Sequence, residues 1–250
     1  MSKLPVHKDY KVWQNSDISK TFLEGVRGAI PLAKEQIDVM LRLINLTQPN
    51  VDKFLDLGCG NGILGKAIYQ NYPTAKGFFI DISDTMIEAA KNTLNSDYES
   101  KFIIEDFSQN TWINCIIQEA PFDVIVSGFA IHHQPDHRKQ QIYQEIYDLL
   151  KPGGLFLNLE HIASRSKLGE TAFDELFIDS LYAFHQHNGS TKSREEIDQE
   201  YYNRADKTAN ILTLVEIQCD WLRDIGFGDV DCFMKLFEIA LFGGVRAKIS

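Results

Sequence analysis

A glycine-rich loop directly after a short apolar segment is the feature that most restricts how this 250-residue chain can fold. The segment Lys53-Phe-Leu-Asp-Leu57 predicts a strand, the loop Gly58-Cys-Gly-Asn-Gly62 follows it, and the spacing of apolar residues from Ile63 to Tyr69 predicts a helix. A strand, a glycine loop and a helix in this order are typical of the first unit of an open parallel sheet. We therefore expect the loop to lie at the carboxyl edge of such a sheet.

The same alternation continues along the chain. Further strands are predicted at 77–81, 101–104, 122–127 and 155–159, and further helices at 17–27, 31–46, 84–94 and 138–150. The strands are apolar on both faces, which is typical of a parallel sheet covered by helices on each side. The sequence therefore predicts a doubly wound, Rossmann-like α/β fold preceded by N-terminal helices.

The last third of the chain differs in character. Residues 169–206 are polar and predict a helical insertion, and a helix at 214–225 and two strands at 230–236 and 238–247 are expected after it. We expect a single domain over 1–250. It divides into an N-terminal helical cap at 1–50, a core at 51–160, the insertion at 161–210 and a closing helix with strands at 211–250.

Charge and composition exclude several classes of function. Thirty-five acidic and 25 basic residues give a formal charge of −10, which disfavours direct nucleic-acid binding and anionic membrane surfaces. No apolar segment approaches the roughly 20 residues that cross a bilayer. The first residues lack the apolar region of a secretory signal, so a cytoplasmic location is expected. Four cysteines without a CxxC pair predict neither a metal site nor a disulfide framework.

The loop sequence admits two kinds of nucleotide ligand. Gly60-Asn-Gly62-Ile-Leu-Gly65 matches the GxGxxG pattern and Asp81 follows about 20 residues later, as in sites for nicotinamide dinucleotides. However, Asp56 stands two residues before the loop, where its carboxylate would repel a pyrophosphate. A carboxylate there suits the ammonium and sulfonium of S-adenosylmethionine (SAM), while Gly58 and Gly60 let the backbone approach the ligand.

Two more acids stand at the ends of predicted strands. Asp81 ends the second strand, where a carboxylate can accept both hydroxyls of a ribose, and Asp106 with Phe107 follows the third, where they can bind and stack on an adenine. Each acid alone is equally well explained as a helix cap or a turn residue. Three acids at three consecutive strand ends favour a shared ligand, because ligands of such sheets bind outside these ends.

The sequence resembles the class I SAM-dependent methyltransferases. The resemblance covers about residues 50 to 160 and rests on five ordered motifs: Phe54-Leu-Asp-Leu-Gly-Cys-Gly-Asn-Gly62, Phe79-Ile-Asp-Ile-Ser83 with Met86, Glu105-Asp-Phe107, Phe122-Asp-Val-Ile-Val126 and Leu149-Leu-Lys-Pro-Gly-Gly154. It implies a seven-stranded sheet with an antiparallel last strand, SAM as cofactor and S-adenosylhomocysteine (SAH) as product. The cofactor contacts that it implies are Asp56, Gly58, Cys59, Gly60, Asp81, Ile82, Met86, Asp106, Phe107, Ser127 and Gly128.

The acceptor site is expected beside the fourth strand. The family places residues near the transferable methyl group in the segment that holds His132 and His133, and either imidazole is a candidate base near pH 7. Arg27 and Arg204 are candidates for binding a carboxylate, and Tyr182 and His185 are candidates for closing the site. We expect direct methyl transfer to a small-molecule acceptor, by alignment alone or with a base.

Other functions stay open at this stage. The C-terminal layout is also similar to carboxy-SAM synthase, a relative in a tRNA pathway that carboxylates the cofactor. That family has an Asn where this chain has Gly128, a Tyr where it has Ala33, and an essential arginine near Asn203. A cofactor-binding protein without turnover and a nicotinamide-dependent oxidoreductase are further alternatives. A homodimer is compatible with each of these functions.

Overall fold

Seven strands form one mixed sheet in the order β3-β2-β1-β4-β5-β7-β6. The computed structural model describes residues 10–21, 23, 27–94, 98–204, 207 and 209–248. The strands are β1 (Lys53–Leu57), β2 (Lys76–Asp81), β3 (Ser100–Ile104), β4 (Phe122–Gly128), β5 (Leu150–His161), β6 (Phe227–Leu236) and β7 (Ile239–Arg246). The first five strands run parallel, and β7 is antiparallel to both β5 and β6. The predicted seven-stranded sheet with an antiparallel last strand is confirmed.

Helices cover both faces of this sheet. They are α1 (Ser16–Thr21), α2 (Ala33–Thr47), α3 (Ile63–Asn71), α4 (Asp84–Leu94), α5 (Asp136–Leu149), α6 (Lys167–His187), α7 (Arg194–Asn203) and α8 (Val215–Ile225). One apolar core joins one face to α2, α3, α4 and α6, and a second joins the other face to α5 and α8. This is the doubly wound α/β arrangement that the sequence predicts.

The two cores explain why the central strands are apolar throughout. The β1 residues Phe54, Leu55 and Leu57 are fully buried because helices pack on both faces of the sheet. Gly65 lies in the first turn of α3, where an added Cβ would come within 2.2 Å of the Phe79 ring. The third glycine of the motif therefore allows α3 to pack closely on the sheet.

Several boundaries differ from the sequence prediction. Helix α2 begins at Ala33 instead of Pro31, because Leu32 has a left-handed backbone conformation with φ of 55°. Strand β5 is much longer than 155–159: it begins at Leu150, directly after α5, and continues to His161. The helix predicted over 17–27 is α1, and part of its predicted range (22 and 24–26) lies outside the described residues.

Among the described helices, none has both the length and the apolar composition needed to cross a membrane. The same residues contain no cluster of three His, Cys, Asp or Glu side chains with the geometry of a metal site. All four cysteines are free thiols.

Candidate functional site

A cavity of about 780 Å³ opens at the carboxyl ends of β1, β2, β3 and β4. The predicted cofactor residues that line it are Asp56, Gly58, Cys59, Gly60, Asp81, Ile82, Met86, Asp106, Phe107 and Gly128. We call this the cofactor cavity. The strand order reverses between β1 and β4, which is where ligands bind in open α/β sheets.

The glycine loop forms one wall of the cofactor cavity. Its backbone is tied to β2, because the amides of Gly58 and Cys59 both donate to the carbonyl of Ile80, at 2.8 and 2.9 Å. Gly58 has a φ of +68°, and an added Cβ would meet the Cβ of Ala130 at 2.2 Å. Gly60 has a φ of +53°, and a Cβ there would meet nothing within 4 Å. A side chain at position 58 would clash with Ala130, so packing requires glycine there. The backbone of Gly60 has no neighbouring atoms on the side where a side chain would stand.

Asp81 links the loop to the following helix. Its Oδ2 accepts a hydrogen bond of 2.8 Å from the Gly60 amide, and its Oδ1 accepts one of 3.0 Å from the Ser83 amide. Burial raises the pKa of the Asp81 carboxyl, and the amides of Ser83, Gly60 and Ile82 oppose this rise by stabilising the charge. The carboxylate therefore shapes the loop and also lines the cavity.

Asp56 and Cys59 also line the cofactor cavity. The Asp56 side chain is fully buried, and its Oδ2 accepts a hydrogen bond of 3.0 Å from the Gly65 amide at the start of α3. Burial and the charges of Asp81 and Asp56 raise the pKa of the Cys59 thiol well above its usual value. Cys59 therefore remains a protonated thiol and is poorly suited to redox chemistry.

A buried arginine on α5 holds the segment that carries Asp106 and Phe107. Arg138 on α5 is 4% exposed, and its Nε and Nη2 both donate to the carbonyl of Phe107, at 3.1 and 2.7 Å. Its guanidinium also pairs with both oxygens of Glu145, which accepts a further hydrogen bond from the indole of the buried Trp112. This network positions Asp106 and Phe107 in the wall of the cofactor cavity, and sequence reasoning missed it.

A second cavity, of about 600 Å³, adjoins the first. Trp13, Phe129 and His133 line both cavities. The other residues of its lining are Ile30, His132, His161, Phe173, Phe177, Tyr201, Arg204, Lys207, Asn210 and Ile239. We call this the acceptor cavity. It lies between the sheet edge at β4 and β5 and the insertion that carries α6 and α7.

His132 forms a close pair with Glu160 in the wall of the acceptor cavity. The Nδ1 of His132 lies 2.5 Å from Oε1 of Glu160, and the His132 amide donates to Oε2 at 3.0 Å. His132 is 6% exposed, and Glu160 is fully buried. Because Nδ1 is bound to the carboxylate, Nε2 is the ring nitrogen that carries the lone pair in the neutral imidazole.

Burial governs the titration of Glu160. It raises the pKa of this carboxyl to about 7, against the opposing effect of the His161 amide and the nearby charges of His133, Lys139 and His161. The carboxylate also accepts hydrogen bonds from the His161 amide at 3.0 Å and the Asn158 side chain at 3.4 Å. The Glu160 carboxyl, which pairs with His132, therefore gains or loses a proton near neutral pH.

His133 has a different environment. Its Nε2 accepts a hydrogen bond of 2.9 Å from the Trp13 indole, and the two rings lie 5.4 Å apart. A neutral imidazole that accepts at Nε2 carries its proton on Nδ1. The two candidate bases therefore differ in their hydrogen bonds: His132 pairs with Glu160 through Nδ1, and the Nε2 lone pair of His133 is engaged by Trp13.

The remaining predicted residues are placed as follows. Arg204 lines the acceptor cavity, whereas Tyr182 and His185 line neither cavity. The reason is the rotation of side chains around the helix. The α6 residues that face the acceptor cavity are Phe173 and Phe177, one turn apart, and positions 182 and 185 do not share their face.

The Arg27 side chain lies outside the described part of the chain. Ser127 lies behind the cofactor cavity, where its hydroxyl donates to the Leu57 carbonyl at 2.8 Å.

Sequence reasoning missed three polar residues of this region. Glu160 and His161 end β5, and His161 lies between Glu238, at 3.0 Å, and Asn210, at 3.4 Å. Lys207 follows α7. The polar pair Glu160-His161 after an apolar strand was an available signal, since it repeats the pattern of acids at strand ends.

Comparison with known proteins agrees with this fold. Residues 54–154 match the family model described as a methyltransferase domain. A ribosomal RNA large subunit methyltransferase G from Shewanella amazonensis is 28% identical over 173 residues, 66% of this chain and 42% of that protein. A carboxy-S-adenosyl-L-methionine synthase from Nautilia profundicola is 22% identical over 241 residues, 95% of both chains.

Solved structures share the fold at low sequence identity. The crystal structure of human N-acetylserotonin methyltransferase in complex with SAM superposes with a TM-score of 0.62 at 16% identity, covering 98% of this chain and 61% of that one. This chain thus spans less than two thirds of some relatives and nearly all of others. The match of residues 54–154, together with the sheet order and the cofactor cavity, agrees with the resemblance found in the sequence.

Proposed function

We propose that this class I SAM-dependent methyltransferase transfers a methyl group to a hydroxyl group of a small molecule bound in the acceptor cavity. The observation that carries the proposal is the meeting of the two cavities at Trp13, Phe129 and His133. A ligand in one cavity would contact a ligand in the other at this junction.

The residues present fit SAM. The described lining of the cofactor cavity has three carboxylates, from Asp56, Asp81 and Asp106, and no lysine or arginine. Such a lining suits a cationic nucleoside and disfavours the pyrophosphate of a nicotinamide dinucleotide. In this proposal Asp81 binds the ribose, Asp106 and Phe107 bind the adenine, and the loop with Asp56 binds the methionine part.

His132 acts as the base in this proposal. Glu160 orients its ring and stabilises the positive charge that the ring gains when Nε2 takes a proton from the acceptor hydroxyl. Asp56 and the glycine loop would hold SAM, whose sulfonium would supply a methyl group to the acceptor oxygen and leave SAH, with a neutral sulfur, as product. His133 and Trp13 serve as a fixed wall at the junction.

A second candidate is synthesis of a carboxylated cofactor. It is supported by the synthase from Nautilia profundicola, which this chain matches over 95% of both lengths. Gly128, Ala33 and Asn203 depart from the pattern of that family. We therefore place this function second.

The acceptor class can be tested with labelled cofactor. The protein is incubated with SAM that carries a tritiated methyl group and with three fractions of a cell extract: low-mass metabolites, RNA and protein. We expect label in the low-mass fraction, with release of SAH. Label in RNA or protein alone would contradict a small acceptor, and consumption of no SAM with any fraction, despite SAH binding, would favour a binding protein without turnover.

A further inference from the structure

The two adjoining cavities are lined by groups of opposite charge. Asp56, Asp81 and Asp106 line the cofactor cavity. Arg204 and Lys207 line the acceptor cavity, and no Asp or Glu is found among its described lining residues. A chain with a formal charge of −10 thus exposes cationic side chains in the one cavity where the acceptor is proposed to bind.

Arg204 and Lys207 are both held against aromatic rings. The guanidinium carbon of Arg204 lies 5.7 Å from the centre of the Tyr201 ring and 6.0 Å from that of Phe177. The ammonium of Lys207 lies 3.8 Å from the centre of the Tyr201 ring. Packing on rings restricts long side chains that would otherwise extend into water, so both cations are held at the cavity wall.

Asp174 does not remove this positive character from the cavity. It pairs with Lys207 at 3.0 Å, but it also accepts hydrogen bonds from the hydroxyls of Tyr201, at 2.6 Å, and Tyr202, at 3.3 Å, and it does not line the cavity. Burial and the hydrogen bond to Asp174 raise the pKa of Tyr201, so this phenol stays neutral. An ammonium has three donors, of which the ion pair with Asp174 uses one.

Aromatic rings connect the cationic end of the cavity to the proposed base. The ring centres of His132 and His161 are 5.7 Å apart, those of His161 and Phe173 are 5.1 Å apart, and those of Phe173 and Phe177 are 5.7 Å apart. Arg204 lies next to Phe177 at the other end of this series. The wall between the base and the cations is therefore aromatic, and its Phe173 and Phe177 rings suit a flat hydrocarbon body.

We propose that the methyl acceptor is an anionic hydroxy compound with an apolar body, whose carboxylate or other oxyanion binds Arg204 and Lys207 while its hydroxyl faces His132. This inference rests on the proposed function and specifies its substrate class. Arginine and lysine supply charge-assisted hydrogen bonds to an oxyanion. The opposite charges of the two cavities also select each ligand for its own side.

Charge fractionation of the low-mass extract tests this inference. The metabolites are separated on an anion-exchange column into a retained, anionic pool and an unretained pool, and each is incubated with labelled SAM. We expect the methyl label in the anionic pool. Label only in the unretained pool would overturn the anionic acceptor and leave small-molecule methyl transfer intact. Label in neither pool would contradict the proposed function itself, and the inference with it.

Substitutions at the cationic end provide a second test. Arg204→Gln and Lys207→Gln are each expected to lower kcat/KM for the anionic pool at least tenfold and to leave the Kd for SAH within about twofold. Arg165→Gln removes an exposed arginine that lines neither cavity and serves as the matched control.

A binding measurement accompanies these assays. The melting temperature of the SAH-loaded protein should rise with the anionic pool for the wild type and the Arg165→Gln control, and should not rise for Arg204→Gln. An Arg204→Gln variant with wild-type kcat/KM and a wild-type thermal shift would overturn the inference.

Discussion

Replacement of His132 by alanine is expected to lower kcat by about 10²–10⁴-fold, the usual contribution of a positioned base. The Kd for SAH should stay unchanged, because His132 lines the acceptor cavity and not the cofactor cavity. Single-turnover kinetics and calorimetry with SAH measure the two effects separately. His137→Ala, which removes an exposed histidine five residues later, is the matched control.

Two outcomes would contradict the role of His132. If kcat is unchanged, transfer depends on alignment alone and needs no base. If His133→Ala reduces kcat as strongly as His132→Ala and leaves SAH binding intact, the distinction drawn from the hydrogen bond between Trp13 and His133 is wrong.

The pH profile gives an independent view of the same pair. Burial raises the pKa of Glu160 to about 7, and a proton on the His132–Glu160 pair removes the base. The rate should therefore rise with pH as the pair loses this proton around pH 7 and become constant above it. Glu160→Gln keeps a hydrogen-bonding side chain without the charge. It should therefore lower kcat and move the inflection of the pH–rate profile away from pH 7. An unchanged profile for Glu160→Gln would exclude the pair as its cause.

Asp81→Ala is expected to weaken SAH binding by about 1–3 kcal/mol, or about 5- to 150-fold in Kd. The substitution removes the proposed acceptor of the ribose hydroxyls and also the hydrogen bonds that fix Gly60 and Ser83. Calorimetry with SAH measures the loss, and the thermal unfolding curve shows whether the fold is retained.

Asp84→Ala is the control for this measurement. Asp84 is exposed in the first turn of α4 and does not line the cofactor cavity, so its removal should leave the Kd for SAH unchanged. Equal affinities for SAH in Asp81→Ala and the wild type would contradict the assignment of Asp81 to the cofactor.

The cofactor cavity was largely predictable from sequence. The reason is topological: carboxyl ends of neighbouring parallel strands meet at one edge, so Asp56, Asp81 and Asp106 converge whatever the details of packing. The glycine loop was predictable in the same way, because the positive φ of Gly58 and Gly60 requires glycine or a strained residue.

The acceptor cavity was much less predictable, because its residues come from distant parts of the chain. Which side of α6 faces the cavity depends on how the insertion packs. The observed packing places Phe177 in the cavity wall, and His185 does not line the cavity. The predicted strand ended at position 159, one residue before Glu160, so this acid was missed although it stands at a strand end in the sequence. Trp13 approaches His133 across 120 residues, a contact that no local pattern indicates.

The formal charge of −10 also acquires a more specific meaning. Three of the acids line the cofactor cavity, while two cations line the cavity beside it. Net charge alone therefore does not describe the ligands of this chain, because the two cavities present opposite charges to them.

The mass of the transferred group tests methyl transfer most directly. The protein is incubated with SAM that carries a trideuterated methyl group and with the low-mass extract, and all products are analysed by mass spectrometry. We expect one acceptor to gain the trideuterated methyl group, with release of an equal amount of SAH. A heavier SAM in which a carboxyl group has replaced one deuterium of the methyl group and two remain, without release of SAH, would contradict methyl transfer and establish the second candidate function.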